Sequence, residues 1–229
     1  MRAFTPFRGK INPLQRDQTM RIFTLFRGKI NPLRCLIHPF DGFYAVKEDR
    51  KGSIPAAGII VFVFFLSALM ERQNSGFIFN YADPAALNVW LIATKTIVLF
   101  VLWVVCNWAV ATWMEGEGKA AEIVIISAYS LIPYVIATLI TIFFSNVLLR
   151  EEGAFLYYMM VVGLIWSSIL MVIGMGIIHD YGFVRTLQSI LLTFAAMGIV
   201  VFLAVLFYTL FQQLYVFLYT IYNELLFRA

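Results

Sequence analysis

Five long runs of apolar residues dominate the chain and decide what it can fold into. They cover residues 54–70, 89–113, 123–149 and 155–178, and a stretch from 187 past 208. Each is close to the roughly 20 residues that a helix needs to cross a ~30 Å hydrocarbon core. Soluble domains are about half apolar and about a quarter charged, whereas this chain is 62% hydrophobic and 13% charged. The apolar excess therefore needs lipid as its solvent.

The choice between helices and a barrel follows from the pattern inside the runs. In lipid only helices and closed barrels satisfy their backbone hydrogen bonds. Barrel strands alternate polar and apolar residues, but these runs are uniformly apolar and longer than such strands. The sequence therefore predicts an all-α, polytopic integral membrane protein with five transmembrane helices. We divide it into a basic N-terminal segment, residues 1–52, and a transmembrane domain, residues 53–229.

Basic residues are concentrated ahead of the first run, and they predict the orientation. Cytoplasmic segments are enriched in Lys and Arg, so we expect a cytoplasmic N-terminus and, after five spans, a C-terminus outside. The loops around 116–119 and 179–185 would then face the cytoplasm, and those around 76–83 and 150–153 would face outward. Residues 1–53 hold eleven of the seventeen basic residues: Arg2, Arg8, Lys10, Arg16, Arg21, Arg27, Lys29, Arg34, Lys47, Arg50 and Lys51.

A short duplication opens the chain. Residues 1–14 and 20–33 match at twelve of fourteen positions, with an offset of 19. Either Met20 is the native start or the segment was duplicated recently. Neither copy is a secretory signal, because no apolar stretch of about 7–15 residues follows the charges. A mitochondrial presequence is a less favoured alternative.

Side chains that could carry catalysis are few. His38 and His179 lie near span ends, and we interpret both as interfacial residues, because a metal site needs three or four clustered ligands. Gly116 and Gly118 are better explained as a flexible connection than as a phosphate loop, since no strand precedes them. We therefore predict no catalytic residue, no metal, no cofactor and no nucleic-acid partner. A disulfide between Cys35 and Cys106 is not expected either.

Lys95 is a charge a few residues inside the second run. Intramembrane lysines are candidates for function because a charge in hydrocarbon is costly. Near a span end, however, the lysine stem can reach the headgroups. The candidate partners are Asp83, Glu151 and Glu152. Snorkelling or a structural ion pair is therefore favoured over an ion pathway.

Pro133 interrupts the third run. Proline has no N–H and displaces the carbonyl four residues earlier, here that of Tyr129. The Ser130 hydroxyl could bond a nearby carbonyl at such a kink. We favour a packing kink over a functional hinge. In the fourth run, small residues would let helices approach closely: Gly163, Ser167, Ser168, Gly174 and Gly176.

Three segments together resemble a known family. Residues 115–134, EGEGKAAEIVIISAYSLIPY, are similar to the signature of the Ypt-interacting protein (Yip) domain family, in which a glycine-containing loop precedes a span with Tyr-Ser-Leu-x-Pro. Residues 38–55, HPFDGFYAVKEDRKGSIP, resemble the pre-membrane region of bacterial members. Residues 176–192, GIIHDYGFVRTLQSILL, resemble the turn between their fourth and fifth spans. The resemblance covers about 38–210, and it makes Tyr129, Ser130, Pro133, His179 and Asp180 candidate functional or structural residues.

The resemblance implies five spans and a cytoplasmic N-terminus. Eukaryotic relatives act in vesicle traffic and bind prenylated small GTPases through a longer N-terminal region, and some bacterial relatives are thought to assist assembly of export ABC transporters. We therefore predict a non-enzymatic scaffold or assembly factor, multi-pass in a bacterial plasma membrane. Its expected partners are lipid and other membrane proteins, either ABC transporter subunits or further copies of itself. A transporter or channel subunit is the alternative, and a membrane enzyme ranks third.

Overall fold

The computed structural model describes residues 32–48, 52–79 and 87–228. Most of the duplicated segment, residues 1–31, lies outside the described residues. Within the described part the structure is helical, and we number its helices in chain order. They are α1 Pro32–Ile37, α2 Pro39–Lys47, α3 Ile54–Asn74, α4 Val89–Trp113, α5 Ala120–Ser130, α6 Ile132–Ser145, α7 Gly153–His179 and α8 Phe183–Arg228.

The five predicted spans are confirmed. They correspond to α3, α4, the pair α5 and α6, α7 with the 3-10 turn Arg150–Glu152 before it, and α8. The second span has the predicted bounds, and the α-helix of the fourth differs from them by two residues or fewer at each end. The first span ends four residues later than predicted, and the third is shifted by three to four residues towards the N-terminus. The fifth begins at Phe183, before the predicted Leu187, because its first turn includes the charged Arg185, which the hydropathy pattern excludes. The side of the membrane that each end faces stays a prediction.

The third span is the centre of the bundle. In the most apolar 18-residue stretch of this span, about 67% of the residues are buried inside the protein. The corresponding share in the fifth span is 11%. α5 and α6 pack against both α3 and α7, and α5 also contacts α4. Gly174 lets α7 approach α5 closely, because a Cβ at that position would overlap Ile126. The predicted close packing of small residues is therefore present at this crossing.

The short helix α2 belongs to the predicted N-terminal segment but packs into the bundle. Phe43 and Val46 are buried in the same apolar core as Ile126 and Ile178. The opposite face of α2 leaves Phe40 exposed. This helix packs against α7 and α5. Cys35 and Cys106 are both buried, and no disulfide joins them.

The fifth span packs on the bundle along one stripe only. Thr186, Ser189, Ile190 and Thr193 are buried, at the helical spacing of one face. After Met197, every side chain through residue 222 is exposed. α8 is 46 residues long, or about 69 Å at 1.5 Å per residue. It is thus about twice as long as the hydrocarbon core is thick.

Candidate functional site at the motif end of the bundle

The three segments that carried the family resemblance meet at one end of the bundle. We call it the motif end, and it comprises α2, the loop 114–119 and the turn 180–182. Lys47 Nζ lies 3.1 Å from Glu117 Oε2, so an ion pair joins α2 to the loop. The Tyr181 hydroxyl donates to the Met114 carbonyl at 3.2 Å, which joins the turn to the same loop. Segments more than sixty residues apart in sequence therefore form one surface.

His179 lies beneath this surface and is fully buried. Its Nε2 is 3.1 Å from Asn107 Oδ1, and the Asn107 amide donates to Thr193 Oγ1 at 3.2 Å. The Thr193 hydroxyl in turn donates to the Ser189 carbonyl at 2.8 Å. Since an amide oxygen can only accept, this chain of bonds assigns the proton of a neutral His179 to Nε2. These bonds connect the second, fourth and fifth spans.

The loop glycines pack against the His179 ring. A Cβ on Gly118 would lie 2.5 Å from His179 Nδ1, and one on Gly116 would lie 2.5 Å from the Tyr181 hydroxyl oxygen. The Gly116 amide also donates to the Ala111 carbonyl at 2.8 Å. The flexible connection predicted for these glycines is thus a packed loop, in which only glycine allows the backbone to approach the ring so closely.

His179 Nδ1 faces this loop and has no hydrogen-bond partner among the described residues. The next residue, Asp180, ends α7 in the left-handed conformation, with φ 56°. The Tyr181 amide then donates back to the Gly176 carbonyl at 3.0 Å. This is the Schellman arrangement that terminates helices, here with an aspartate in the position that glycine usually takes. It turns the chain directly into α8.

Tyr181 and Arg185 close the motif end. The Arg185 guanidinium carbon lies 4.8 Å from the centre of the Tyr181 ring, and the guanidinium also donates to the Met114 carbonyl. The Tyr181 ring stacks on His179, with centroids 5.3 Å apart. Burial raises the pKa of the Tyr181 hydroxyl above its ordinary value; Arg185 opposes that rise and Glu115 adds to it. The hydroxyl is therefore a neutral donor to the Met114 carbonyl.

Tyr129 and Ser130 lie in the core, deeper than the motif end. The Ser53 amide donates to the Tyr129 hydroxyl at 3.4 Å. Ser53 also caps α3, since its side chain accepts from the Ala56 amide. Tyr129 therefore ties the centre of the third span to the start of the first. The Ser130 hydroxyl is buried without a hydrogen-bond partner among the described residues.

Pro133 lies in the first turn of α6, directly after a break at Leu131. Because the helix is interrupted there, the Tyr134 amide donates across to Ser167 Oγ of α7 at 3.2 Å. Ser167 is one of the small residues predicted for helix packing. An interhelical side-chain bond thus satisfies backbone that a proline break leaves unpaired, as membrane helices require. That this break is a packing kink and not a functional hinge stays a prediction.

Lys95 is remote from the motif end. It lies in a π-helical turn, Thr94–Val98, near the start of α4, and its side chain is exposed. No ion pair to Glu151 or Glu152 is present in the described chain, and the third candidate partner, Asp83, lies outside the described residues. π-helical turns inside α-helices are frequent at functional sites. The role of Lys95 therefore stays a prediction.

Sequence reasoning missed several residues that lie in the motif end or contact it from the spans beneath. Asn107 was visible as a polar residue inside an apolar run, which is itself a signal of function or pairing. Thr193, Tyr181 and Arg185 gave no such signal, because a hydroxyl or a span-end charge is common in membrane helices. Their importance comes from contacts across 67 to 86 residues of sequence. Within the described ranges, no three His, Cys, Asp or Glu side chains are grouped to hold a metal ion.

These observations define a multi-pass helical membrane protein in which a short helix, a packed loop and a turn cover one end of a five-span bundle. Comparison with known families assigns it further. A family model described as the Yip1 domain matches residues 33–221, most of the chain, so the protein belongs to the Yip1 domain family. The family resemblance inferred from the motifs is thereby confirmed. No curated protein and no solved structure matches the chain.

Proposed function

We propose that this protein is a non-enzymatic membrane scaffold or assembly factor, whose fifth span is the surface that holds a partner. The observation that carries the proposal is the exposure of α8. Beyond Met197 its described side chains through Tyr222 contact no other span closely enough to be buried. A span that is free of its own bundle over several turns is available to pack against helices of another membrane protein.

The register of α8 against α4 indicates how much helix is available. The hydrogen bond from Asn107 to Thr193 shows that these two residues lie at the same height along the bundle. α4 begins at Val89, 18 residues before Asn107, or about 27 Å along the axis. The same distance along α8, measured from Thr193 away from the motif end, reaches Phe211. Phe211 therefore lies at about the level at which α4 begins. Residues beyond that point continue the helix for about 25 Å past the level at which the second span begins.

The overhanging part of α8 is rich in exposed aromatic side chains. Phe211, Tyr215 and Phe217 are each more than 60% exposed, and the Tyr215 and Tyr219 rings stack with centroids 6.3 Å apart. Tyrosines are favoured where one end of a side chain is apolar and the other is wet. This composition suits a helix that leaves the hydrocarbon and binds an aromatic or apolar surface at the interface.

The polar groups of the core support a structural role over catalysis. Asn107, Tyr129 and Trp103 each make an interhelical hydrogen bond to a side chain or amide of another segment. Interhelical hydrogen bonds of this kind hold membrane helices together. They do not converge on an open cleft where a substrate could meet several polar groups. The family resemblance adds an export ABC transporter in a bacterial plasma membrane as the first partner to test.

Photo-crosslinking in native membranes tests the scaffold proposal. A photoreactive amino acid at Phe202 or Tyr215 of α8 should give a discrete adduct with another membrane protein. The matched control is Phe62 of α3, which is similarly exposed, 56% against 65% for Phe202, but belongs to a span held by the bundle. Equal adduct patterns at all three positions, or lipid adducts alone, would contradict the proposal.

The ABC transporter partner needs a separate measurement. Cells that lack this protein should contain less of the assembled exporter on native gels, with unchanged amounts of its unassembled subunits. Re-expression of the wild-type chain should restore the complex. An exporter that assembles normally without this protein would rule out that partner but leave the scaffold proposal to the crosslinking result.

A transporter or channel subunit is the second candidate, because Lys95 lies in a π-helical turn and the third span is broken at Leu131. Ion flux into vesicles reconstituted with the pure protein distinguishes the two functions. Flux that disappears in Lys95→Met would support the pathway. Vesicles that stay tight with wild-type protein would support the scaffold.

A further inference from the structure

A groove runs along the lipid-facing side of the bundle below the motif end. Its volume is about 550 Å³, and it lies between α2, the second half of α7 and the first turns of α8. The walls are apolar: Phe40 and Tyr44 come from α2, Ile169 and Ile173 from α7, and Leu187 from α8. Phe40, Ile169 and Leu187 are exposed, so the groove opens toward the surrounding bilayer rather than into the core.

The depth of the groove matches one leaflet. Its lining on α7 extends from Ser168 to Asp180, which is about 18 Å along the helix axis. One leaflet contributes about half of the ~30 Å hydrocarbon core. At this depth the available solvent is acyl chain. The hydroxyls that line the groove do not oppose such an occupant, because each already donates to a carbonyl four residues earlier, Ser168 to Leu164 and Thr186 to Gly182.

The mouth of the groove carries an unneutralised acidic group. Asp180 lines the groove where α7 ends, and no cation of the described chain lies within 4.0 Å of its carboxylate. The basic residues at and beside the motif end are Lys47, Lys119 and Arg185, and none of them forms an ion pair with Asp180. Lys47 pairs with Glu117, and Arg185 lies over the Tyr181 ring and donates to Met114. A headgroup at this mouth therefore meets an acceptor rather than a donor.

We propose that the groove binds one phospholipid with a primary-amine headgroup, such as an ethanolamine phospholipid, with an acyl chain between α2, α7 and α8 and the ammonium at Asp180. The ammonium donates hydrogen bonds to the carboxylate, and an anionic glycerol headgroup at the same position is repelled. The acyl chain is held by dispersion contacts with the groove walls, because burial from lipid gives no hydrophobic gain. This site is independent of the scaffold proposal.

Native mass spectrometry of the full chain in mild detergent tests the groove. After delipidation, ethanolamine and glycerol phospholipids with identical acyl chains are added back separately. Ile169→Trp fills the groove and should lower the bound fraction of the ethanolamine lipid about tenfold, which corresponds to roughly ten lost atom-pair contacts. Leu164→Trp is the matched control, since Leu164 is on the same helix with similar exposure, 55% against 50% for Ile169, but lines no part of the groove.

The headgroup assignment has its own variant. Asp180→Asn should reduce the preference for ethanolamine over glycerol lipid about twofold to fivefold, the range for a solvent-accessible ion pair. Ile169→Trp should lower the bound fraction of lipid equally with Asp or Asn at position 180, since that substitution acts on the acyl chain. An unchanged preference in Asp180→Asn would overturn the assignment of the ammonium to this carboxylate.

Photo-crosslinking of the wild-type protein to a lipid tests the groove without any substitution, should Ile169→Trp fail to fold. Wild-type protein is illuminated in vesicles that contain an ethanolamine phospholipid with a photoreactive group in its acyl chain. Adducts should concentrate on α2, on residues 168–177 of α7 and on the first turns of α8. Adducts spread evenly over the outer faces of all five spans would overturn the proposal, as would equal lipid retention by Ile169→Trp and Leu164→Trp.

Discussion

The bond between Asn107 and His179 gives the most quantitative prediction. Both side chains are buried, with Asn107 0% and His179 1% exposed. Asn107→Leu leaves the His179 N–H without an acceptor, and a buried unsatisfied group costs about 1–3 kcal/mol. Thr193 no longer receives the hydrogen bond from the Asn107 amide, but its hydroxyl still donates to the Ser189 carbonyl. We therefore expect a cost of about 1–3 kcal/mol for this single substitution, mostly from the stranded histidine.

His179→Leu strands the Asn107 oxygen in the same way. The double variant, with leucine at both positions, strands neither group, because both partners of the bond are gone. Interhelical side-chain hydrogen bonds in membranes couple by about 0.6 kcal/mol on average and up to about 1.7 kcal/mol. The double variant should therefore cost less than the sum of the single variants, and the difference should be at least about that amount.

The measurement is a double-mutant cycle on the unfolding free energy in micelles, by reversible denaturant titration. Ser145→Ala supplies the control pairing with Asn107→Leu. Ser145 bonds the Gly76 amide at 2.9 Å at the other end of the bundle, so the two substitutions should be additive. If Asn107→Leu and His179→Leu are also additive, the two residues do not act through their bond and the reasoning fails.

Four further predictions test other parts of the structure. Gly118→Ala should destabilise the protein by about 1–3 kcal/mol through overpacking on the His179 ring, whereas Gly198→Ala, with open space around it, should be neutral or slightly stabilising in the same thermal assay. Lys95→Met should insert and accumulate at least as well as wild type, since it removes a charge from the span; reduced abundance on immunoblots would argue for a buried partner. A reporter fused at Lys119 should be cytoplasmic and one at the C-terminus external, and a cytoplasmic C-terminal reporter would contradict the five-span orientation. The pKa of Tyr181 is raised in the folded protein, so the unfolded chain loses that proton first and the melting temperature should fall as pH rises from about 10. Tyr181→Phe should make this fall smaller. An alkaline profile identical to that of the wild type would count against the assignment.

The motif end could be predicted from the sequence only in part. His179 and Asp180 were singled out because they follow a span in a family-like motif, and the structure places them at the junction of α7 and α8. The glycines of the loop were interpreted as a flexible link, since glycine favours both open turns and close packing. Only the His179 ring, which contacts these glycines in space, distinguishes the two uses. It lies more than sixty residues away in sequence.

The sequence by itself determined the class of fold, the number of spans and, to within about five residues, where each span begins. The physical reason is that insertion depends on the summed hydropathy of about 20 consecutive residues, which is a local property of the chain. It also determined where breaks were expected, because Pro133 removes a backbone donor wherever the helix is placed.

The tertiary structure alone decided which faces of those spans meet. Lipid is as good a solvent as another helix for an apolar side chain, so hydropathy cannot choose between packing and exposure. The choice depends on shape and on paired polar groups, such as Gly174 against Ile126 and Asn107 between His179 and Thr193. For the same reason, the third and fifth spans, which are both apolar enough to cross a membrane, have opposite places, one in the centre of the bundle and one largely exposed outside it.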